Sequence, residues 1–150
     1  MKVVVQRSLK SSVCVDNKQV GIINHGLVLL VGFTNGDNEE IINKMVKKVI
    51  NLRIFDDENG VMNKSLMDVK GEILSISQFT LYADTKKGNR PSYINALGGD
   101  KAKPLYDLFN TKLKENGIKV ETGIFGADMK VSIENNGPVT ILLESSDNNA

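Results

Sequence analysis

Four consecutive residues in one apolar run are the first candidates for chemistry. The stretch "SISQFTLYA" sets Ser77, Gln78 and Thr80, with Phe79 among them, into what otherwise reads as a buried strand. Two hydroxyls and a carboxamide are polar groups in places that local structure does not require, each able to offer a hydrogen bond to a ligand. The plainer alternative is that they pack with their polar atoms satisfied by backbone. A second stretch, "ENNGPVTILLE", holds Gly137 and Pro138. Pro138 fixes its own φ and lacks an N–H, which suits a strand's first residue or an edge, and Gly137 leaves room for close approach. The pair is either turn punctuation or a rigid wall facing a ligand.

Other routes to catalysis find little support. His25, the one histidine, falls in the turn-like "NHG", so a Ser-His-Asp triad has no good base. Cys14, the one cysteine, sits in the alternating "SSVCVD" as a half-buried strand position and rules out an internal disulfide. Cys/His clusters are lacking, and "DDENG" does not have the ligand spacing of a calcium loop. No phosphate-cradling or dinucleotide glycine pattern appears. Neither a metal nor a cofactor is expected. Met129, in "FGADMKV", reads as core or as pocket lining, with Phe125 and Ala127 beside it.

The elements that must position these residues read as α+β. "KVVVQRS", "SSVCVD", "QVGIIN" and "GLVLLVGFT" form a meander of strands, with "DNKQ" and "NHG" as turns. An amphipathic helix follows, capped by Asp37 or Asn38, with Ile41, Ile42, Met45, Val46, Val49 and Ile50 on its apolar face. "FDDENGVMNKS" is a polar connection between short strands, and "GEILSISQFTLYAD" one long strand. The loop "TKKGNRPS" precedes a second helix that starts at Asp100, takes Pro104 in its first turn and ends at Gly117. Its apolar face is Leu105, Leu108, Phe109 and Leu113. "IKVETG", "DMKVSIE" and "PVTILLE" close the chain as strands. The expectation is one domain over residues 1–145, a mostly antiparallel sheet or barrel-like core with two amphipathic helices, and a disordered tail at 146–150.

Bulk properties bound the function. At 150 residues, 41% hydrophobic and 25% charged, the chain can bury one core. A net charge of +1 argues against a strongly basic nucleic-acid coat but leaves room for a local basic patch. No apolar signal core or membrane-length run occurs, so a cytoplasmic protein without membrane contact is expected.

Taken together, "SQFTLYAD", "KGNRPS", "TGIFGADMKV" and "NNGPVT", in that order, resemble the D-aminoacyl-tRNA deacylase family. "VVVQRS", "GLVLLVG" and "LRIFDDENGVMNKS" extend the likeness over nearly the whole chain. The resemblance implies a homodimer that hydrolyses the ester of D-aminoacyl-tRNA and of mischarged glycyl-tRNA at the 3′ terminal adenosine. It implies active sites at the subunit interface, where a cis Gly137–Pro138 of one subunit enters the site of the other. L-amino acids would be excluded by that wall, which glycine passes for want of a side chain. It casts Ser77, Gln78, Phe79 (through its backbone N–H) and Thr80 as active-site residues, and Met129 as a weaker pocket residue. With no base to activate Thr80, hydrolysis assisted by the ribose 2′-OH is preferred over a covalent Thr80 ester. Lys86, Lys87 and Arg90 are either a solvated loop or phosphate contacts. Arg7 matches the family opening without an assigned role. The competing classes are a noncatalytic binder of aminoacylated RNA ends and a small-molecule serine or threonine esterase. A relative clearing L-alanine from the wrong tRNA would differ around the Gly-Pro peptide.

Overall fold

The valine-rich "KVVVQRS" forms a strand that buries Val3 and Val5 on one face, and this strand organises the protein. The structure is a computed structural model that describes residues 1–145, so the tail expected to be disordered lies outside the described residues. β1 (Lys2–Ser8), β4 (Gly26–Gly32), β7 (Glu72–Ser77), β8 (Val120–Thr122) and β10 (Asn135–Glu144) form a five-stranded sheet in the order β10-β1-β4-β7-β8. β2 (Ser11–Val15), β3 (Lys18–Ile23) and β9 (Lys130–Ser132) form a second sheet, β3-β2-β9. A small pair, β5 (Phe55–Asp56) with β6 (Met62–Lys64), lies apart from both.

Three layers result. α1 (Glu39–Asn51) and α3 (Gly99–Glu115) cover one face of the large sheet, where Val3, Val5, Leu27, Leu29 and Ile73 meet Ile42, Val49, Phe109 and Leu113. On the other face Val28, Leu74 and Ile76 pack against Val13 and Ile23 of the small sheet. β4 is covered on both sides, which is why "GLVLLVG" is continuously apolar instead of alternating. All six apolar positions expected in the first helix are buried, and Asn38 caps it by accepting from the Ile41 N–H at 3.0 Å.

The pairing departs from a meander. β2 and β3 do form a hairpin, its two turn residues Asp16 and Asn17 at φ 49° and 62° as a type I′ turn requires. β1, however, pairs with β4 and β10, and "NHG" carries the chain from one sheet to the other. Glu72 fixes that crossing: its Oε1 accepts from Asn24 N–H at 2.8 Å, and its backbone N–H donates to the His25 carbonyl at 2.9 Å. β4 and β7 then run parallel, as do β7 and β8, while the remaining pairs are antiparallel.

Helix details also differ. α3 begins at Gly99 with Gly98 as its cap, so Pro104 falls in the second turn rather than the first. There the proline leaves the Asp100 carbonyl without its intrahelical donor. Its apolar face turns Tyr106 and Asn110 inward along with Phe109 and Leu113, while Leu105 and Leu108 are partly buried. Gly117 follows the helix at φ 81°, as a terminating glycine should. A short helix, α2 (Leu66–Val69), joins the two expected ones. Its signal was present: Ser65 and Asp68 form a reciprocal capping box.

Candidate active site

The run carrying Ser77, Gln78, Phe79 and Thr80 is not one long strand. β7 stops at Ser77, and Phe79–Tyr82 coil into a 3₁₀ turn with Gln78 as its cap. The Gln78 N–H still donates to the Val31 carbonyl at 2.7 Å, which holds the turn at the end of β4. Gly32 makes this possible, since a side chain there would meet the Gln78 carbonyl at 2.9 Å. The first N–H groups of a helical turn have no carbonyl within that turn, so Phe79 presents a backbone donor. Phe79 itself is 58% exposed. The Gln78 Nε2 donates to Thr80 Oγ1, so the threonine oxygen is the acceptor in that bond.

These residues border a cavity of about 580 Å³. Ser77, Gln78 and Phe79 line it together with Ile76, Phe125, Met129 and Val131. Thr80 is not in the lining and connects to it through Gln78. Phe125, Ala127 and Met129, read as possible lining, all border the cavity. Gly123 allows Met129 to lie there, because a side chain at 123 would occupy the space of the methionine sulfur. Among the described residues of the lining, Tyr93 carries the only ionisable side chain.

Behind the cavity, α3 braces β7. Tyr106 donates its hydroxyl to the Ser75 carbonyl at 2.7 Å, and its ring lies 5.8 Å from that of Phe125. Burial pushes the Tyr106 hydroxyl above its ordinary range, keeping it a donor. At the far end of the 3₁₀ turn, Lys2 Nζ donates to the Leu81 carbonyl at 3.3 Å and lies 4.7 Å from the centre of the Tyr82 ring. Tyr82 is likewise raised, first by burial and then by the carboxylates of Asp37 and Glu144.

Gly137 and Pro138 lie elsewhere. β10 starts three residues earlier than expected, at Asn135, and the pair sits inside it on the sheet's edge, where proline is tolerated. The register slips there: Gln6 faces Thr140 but Ser8 faces Asn135, so the pair bulges opposite Arg7. The Gly137–Pro138 peptide is cis, with Gly137 at φ 137°. Ser77 lies level with Val31, Val3 and Leu143, whereas the bulge lies level with Leu27. Strand geometry therefore separates the pair from Ser77 by about 13 Å along the strands and about 14 Å across them. Within one chain the two groups do not meet.

Arg7 is the residue that sequence reasoning left without a role. Its Nε donates to the Asn136 carbonyl at 2.9 Å and its Nη1 to the Ile54 carbonyl at 2.9 Å, with Asp56 Oδ1 at 3.3 Å. Asn135 closes the bulge from within, its Oδ1 accepting from Val139 N–H at 2.9 Å. The signal for Arg7 was parity: it follows Val3 and Val5 on the core-facing side, and arginine is rarely buried unless paired. Lys86, Lys87 and Arg90 are exposed on the loop beyond the 3₁₀ turn, and His25 is exposed at the sheet crossing.

A family model described as D-Tyr-tRNA(Tyr) deacylase matches residues 4–144. The chain belongs to this family. It is 59% identical over 148 residues to the D-aminoacyl-tRNA deacylase of Clostridium perfringens (strain SM101 / Type A), covering 99% of each chain. It is 57% identical over 145 residues to the D-aminoacyl-tRNA deacylase of Aquifex aeolicus (strain VF5), covering 97% of this chain and 98% of that one. Among solved structures, the c-Myc DNA unwinding element binding protein superposes with a TM-score of 0.92 at 41% identity, over 97% of this chain and 99% of that one. A probable eukaryotic D-amino acid tRNA deacylase superposes with a TM-score of 0.82 at 19% identity, over 95% and 97%, a likeness of fold. The fold is thus shared with these structures over nearly the whole chain.

Proposed function

We propose that this protein hydrolyses the ester of D-aminoacyl-tRNA, releasing the amino acid and tRNA, and treats mischarged glycyl-tRNA in the same way. The observation carrying this reading is a cavity bordered by Ser77, Gln78 and the Phe79 turn in a chain of the deacylase family. In the proposed complex the ester carbonyl faces the backbone N–H of Phe79, whose fixed dipole stabilises the developing oxyanion without reorganising. Gln78 orients Thr80, and the Thr80 hydroxyl positions substrate by hydrogen bonding. Met129 and its apolar neighbours keep bulk water from the reacting face.

The attacking water needs help, and the lining offers no carboxylate, histidine or lysine among its described residues. That composition supports assistance from the vicinal 2′-OH of the terminal adenosine over a covalent Thr80 ester. Chirality is the second part of the proposal. Gly137 and Pro138 are too far from the Ser77 end to act in their own cavity, which supports a homodimer with each bulge completing its partner's site. There the rigid pair leaves no space for an L side chain. No described helix is long and apolar enough to cross a membrane, and action in the cytoplasm belongs to the same proposal.

The deciding experiment is deacylation of matched D- and L-tyrosyl-tRNA by the purified protein, with glycyl-tRNA alongside. Release of D-tyrosine and glycine with the L ester spared is the expected result. Loss of both tyrosyl esters alike would remove the chiral wall. RNA binding without hydrolysis would leave a binding module.

A further inference from the structure

The geometry points to a second binding surface beside the cavity: a strip from Phe79 and Tyr93 onto the 84–92 loop that takes the single-stranded nucleotides preceding the terminal adenosine. This rests on the proposed tRNA substrate and says how the RNA beyond its last residue is held.

Large apolar side chains are usually covered, yet three are exposed in this one place. Phe79 is 58% exposed, Tyr93 41% and Ile94 77%. Phe79 and Tyr93 meet edge to face, their ring centres 5.1 Å apart at 70°, so the two rings brace one another while both stay exposed. Both stand in the cavity lining, so a strand leaving the cavity passes them. An exposed aromatic face stacks any base without regard to sequence.

Positive charge lies on the loop that leads into Tyr93. Lys86, Lys87 and Arg90 fall within nine residues that hold one carboxylate, Asp84, on a chain whose net charge is only +1. All three are exposed, and among the described residues none makes an ion pair. Asp84 is turned to its own loop, accepting from the Lys86 N–H at 2.9 Å. Unpaired cations on a loop that leads into exposed aromatic rings match the phosphates and bases of a single strand.

The loop is built to hold this position. Asp84 and Ser92 exchange backbone hydrogen bonds of 2.8 and 2.9 Å, closing its base. Beyond Tyr93 the chain is pinned again, since Thr34 Oγ1 donates to the Asn95 carbonyl at 2.6 Å and the Leu97 N–H to the Phe33 carbonyl at 3.0 Å. The aromatic pair is thus fixed between two anchored segments.

The test uses a fluorescent RNA hairpin ending in single-stranded ACCA, read by anisotropy, with wild type, a Lys86→Ser/Lys87→Ser/Arg90→Ser variant and Tyr93→Ala. The triple variant is expected to bind at least tenfold more weakly at low salt. Its log–log salt slope should be shallower by about 2, since each phosphate left without its cation removes about 0.7. Tyr93→Ala is expected to weaken binding several-fold at an unchanged slope, because it removes stacking rather than charge. Unchanged affinity and slope in the triple variant would overturn the proposal. So would a shift in sedimentation of the Tyr93 variant from dimer to monomer, which would make the aromatic strip an interface between copies. Hydrolysis is read separately: RNA binding that follows this pattern without deacylation removes the enzymatic reading alone. Deacylation of D-tyrosyl-tRNA with the same KM in wild type and triple variant removes this one alone.

Discussion

Arg7 and Asn136 are joined across the β10 bulge, the arginine Nε donating to the Asn136 carbonyl at 2.9 Å one residue before Gly137. The same guanidinium reaches Ile54 in the opposite direction, and its side chain is 10% exposed, so these bonds are little diluted by water. Lysine cannot span both carbonyls from a single ammonium group. Arg7→Lys is expected to lose about 2 kcal/mol of stability, the worth of a charge-assisted hydrogen bond left unmade. It should also lower the D-over-L hydrolysis ratio at least tenfold. A chemical melt and paired deacylation assays check the two effects.

Gly137 is constrained twice, by φ 137° and by its neighbours. A Cβ there would lie 2.8 Å from Val139 Cγ2, 3.0 Å from Val139 N and 3.1 Å from Arg7 Nη2. Gly137→Ala should therefore shift the bulge, destabilise the fold by about 1 kcal/mol or more and reduce chiral selectivity. Gly117→Ala is the comparison, because Gly117 also has positive φ but nothing within 4 Å. It should lose stability and keep selectivity. Equal selectivity in the two variants would contradict the wall.

Thr80 tests the chemistry. Its hydroxyl accepts from Gln78, so Thr80→Val removes both that bond and the hydrogen offered to substrate. A fall in kcat of up to about 10²- to 10³-fold is expected, the size of one lost oxyanion donor. Thr80→Ser should recover most of it. Intact mass of wild type quenched during turnover should show no acyl adduct, and an adduct on Thr80 would establish the covalent route.

The cavity lining carries no histidine or carboxylate among its described residues, so no protein base titrates near neutrality against the substrate. The log of kcat/KM on D-tyrosyl-tRNA should rise with pH without an inflection between about pH 5 and 6.5, where a catalytic histidine would titrate and the substrate's own α-amino group stays charged. A bell-shaped profile in that range would point to a base brought from elsewhere.

Glu72 sets an acid limit on stability. Burial works to raise its carboxyl, but the Asn24 N–H and Lys119, with Nζ 3.2 Å from Oε2, outweigh it and hold it below its ordinary 4.5. A group lowered on folding contributes stability above its unfolded pKa and loses it as pH falls through the folded value. Glu72→Gln should thus melt below wild type at pH 7, with the gap closing as pH falls below 4.5. Melting temperatures of both proteins across about pH 2.5–7 measure it, a window set around the carboxylate range. A gap that stays constant would mean packing, not charge, accounts for the difference.

Much of this was legible locally. The 3.6-residue period placed every buried side chain of α1, and the valine-rich opening placed β1 as a strand. The turn at Asp16-Asn17 followed from residues that accept positive φ. "SISQFTLYA" concealed a change of geometry, because an apolar run reads alike as strand or as helical turn over so few residues. The break at Ser77 comes from the Gln78–Val31 bond and the close approach at Gly32, both contributed by a strand over forty residues earlier.

By itself the sequence determined which residues prefer which local geometry: the two amphipathic helices, most of the strands, the Ser77–Thr80 group and a Gly-Pro pair poised at an edge. Those depend on backbone sterics and on periods of two and 3.6 residues, which act within a few positions. Only the tertiary structure decided that β1 lies between β4 and β10, and that β4 is buried on both faces. It alone gave Arg7 its partners and set Gly137 apart from the cavity of its own chain. Pairing over such separations is settled by which apolar faces can be covered together, and no local period carries that information.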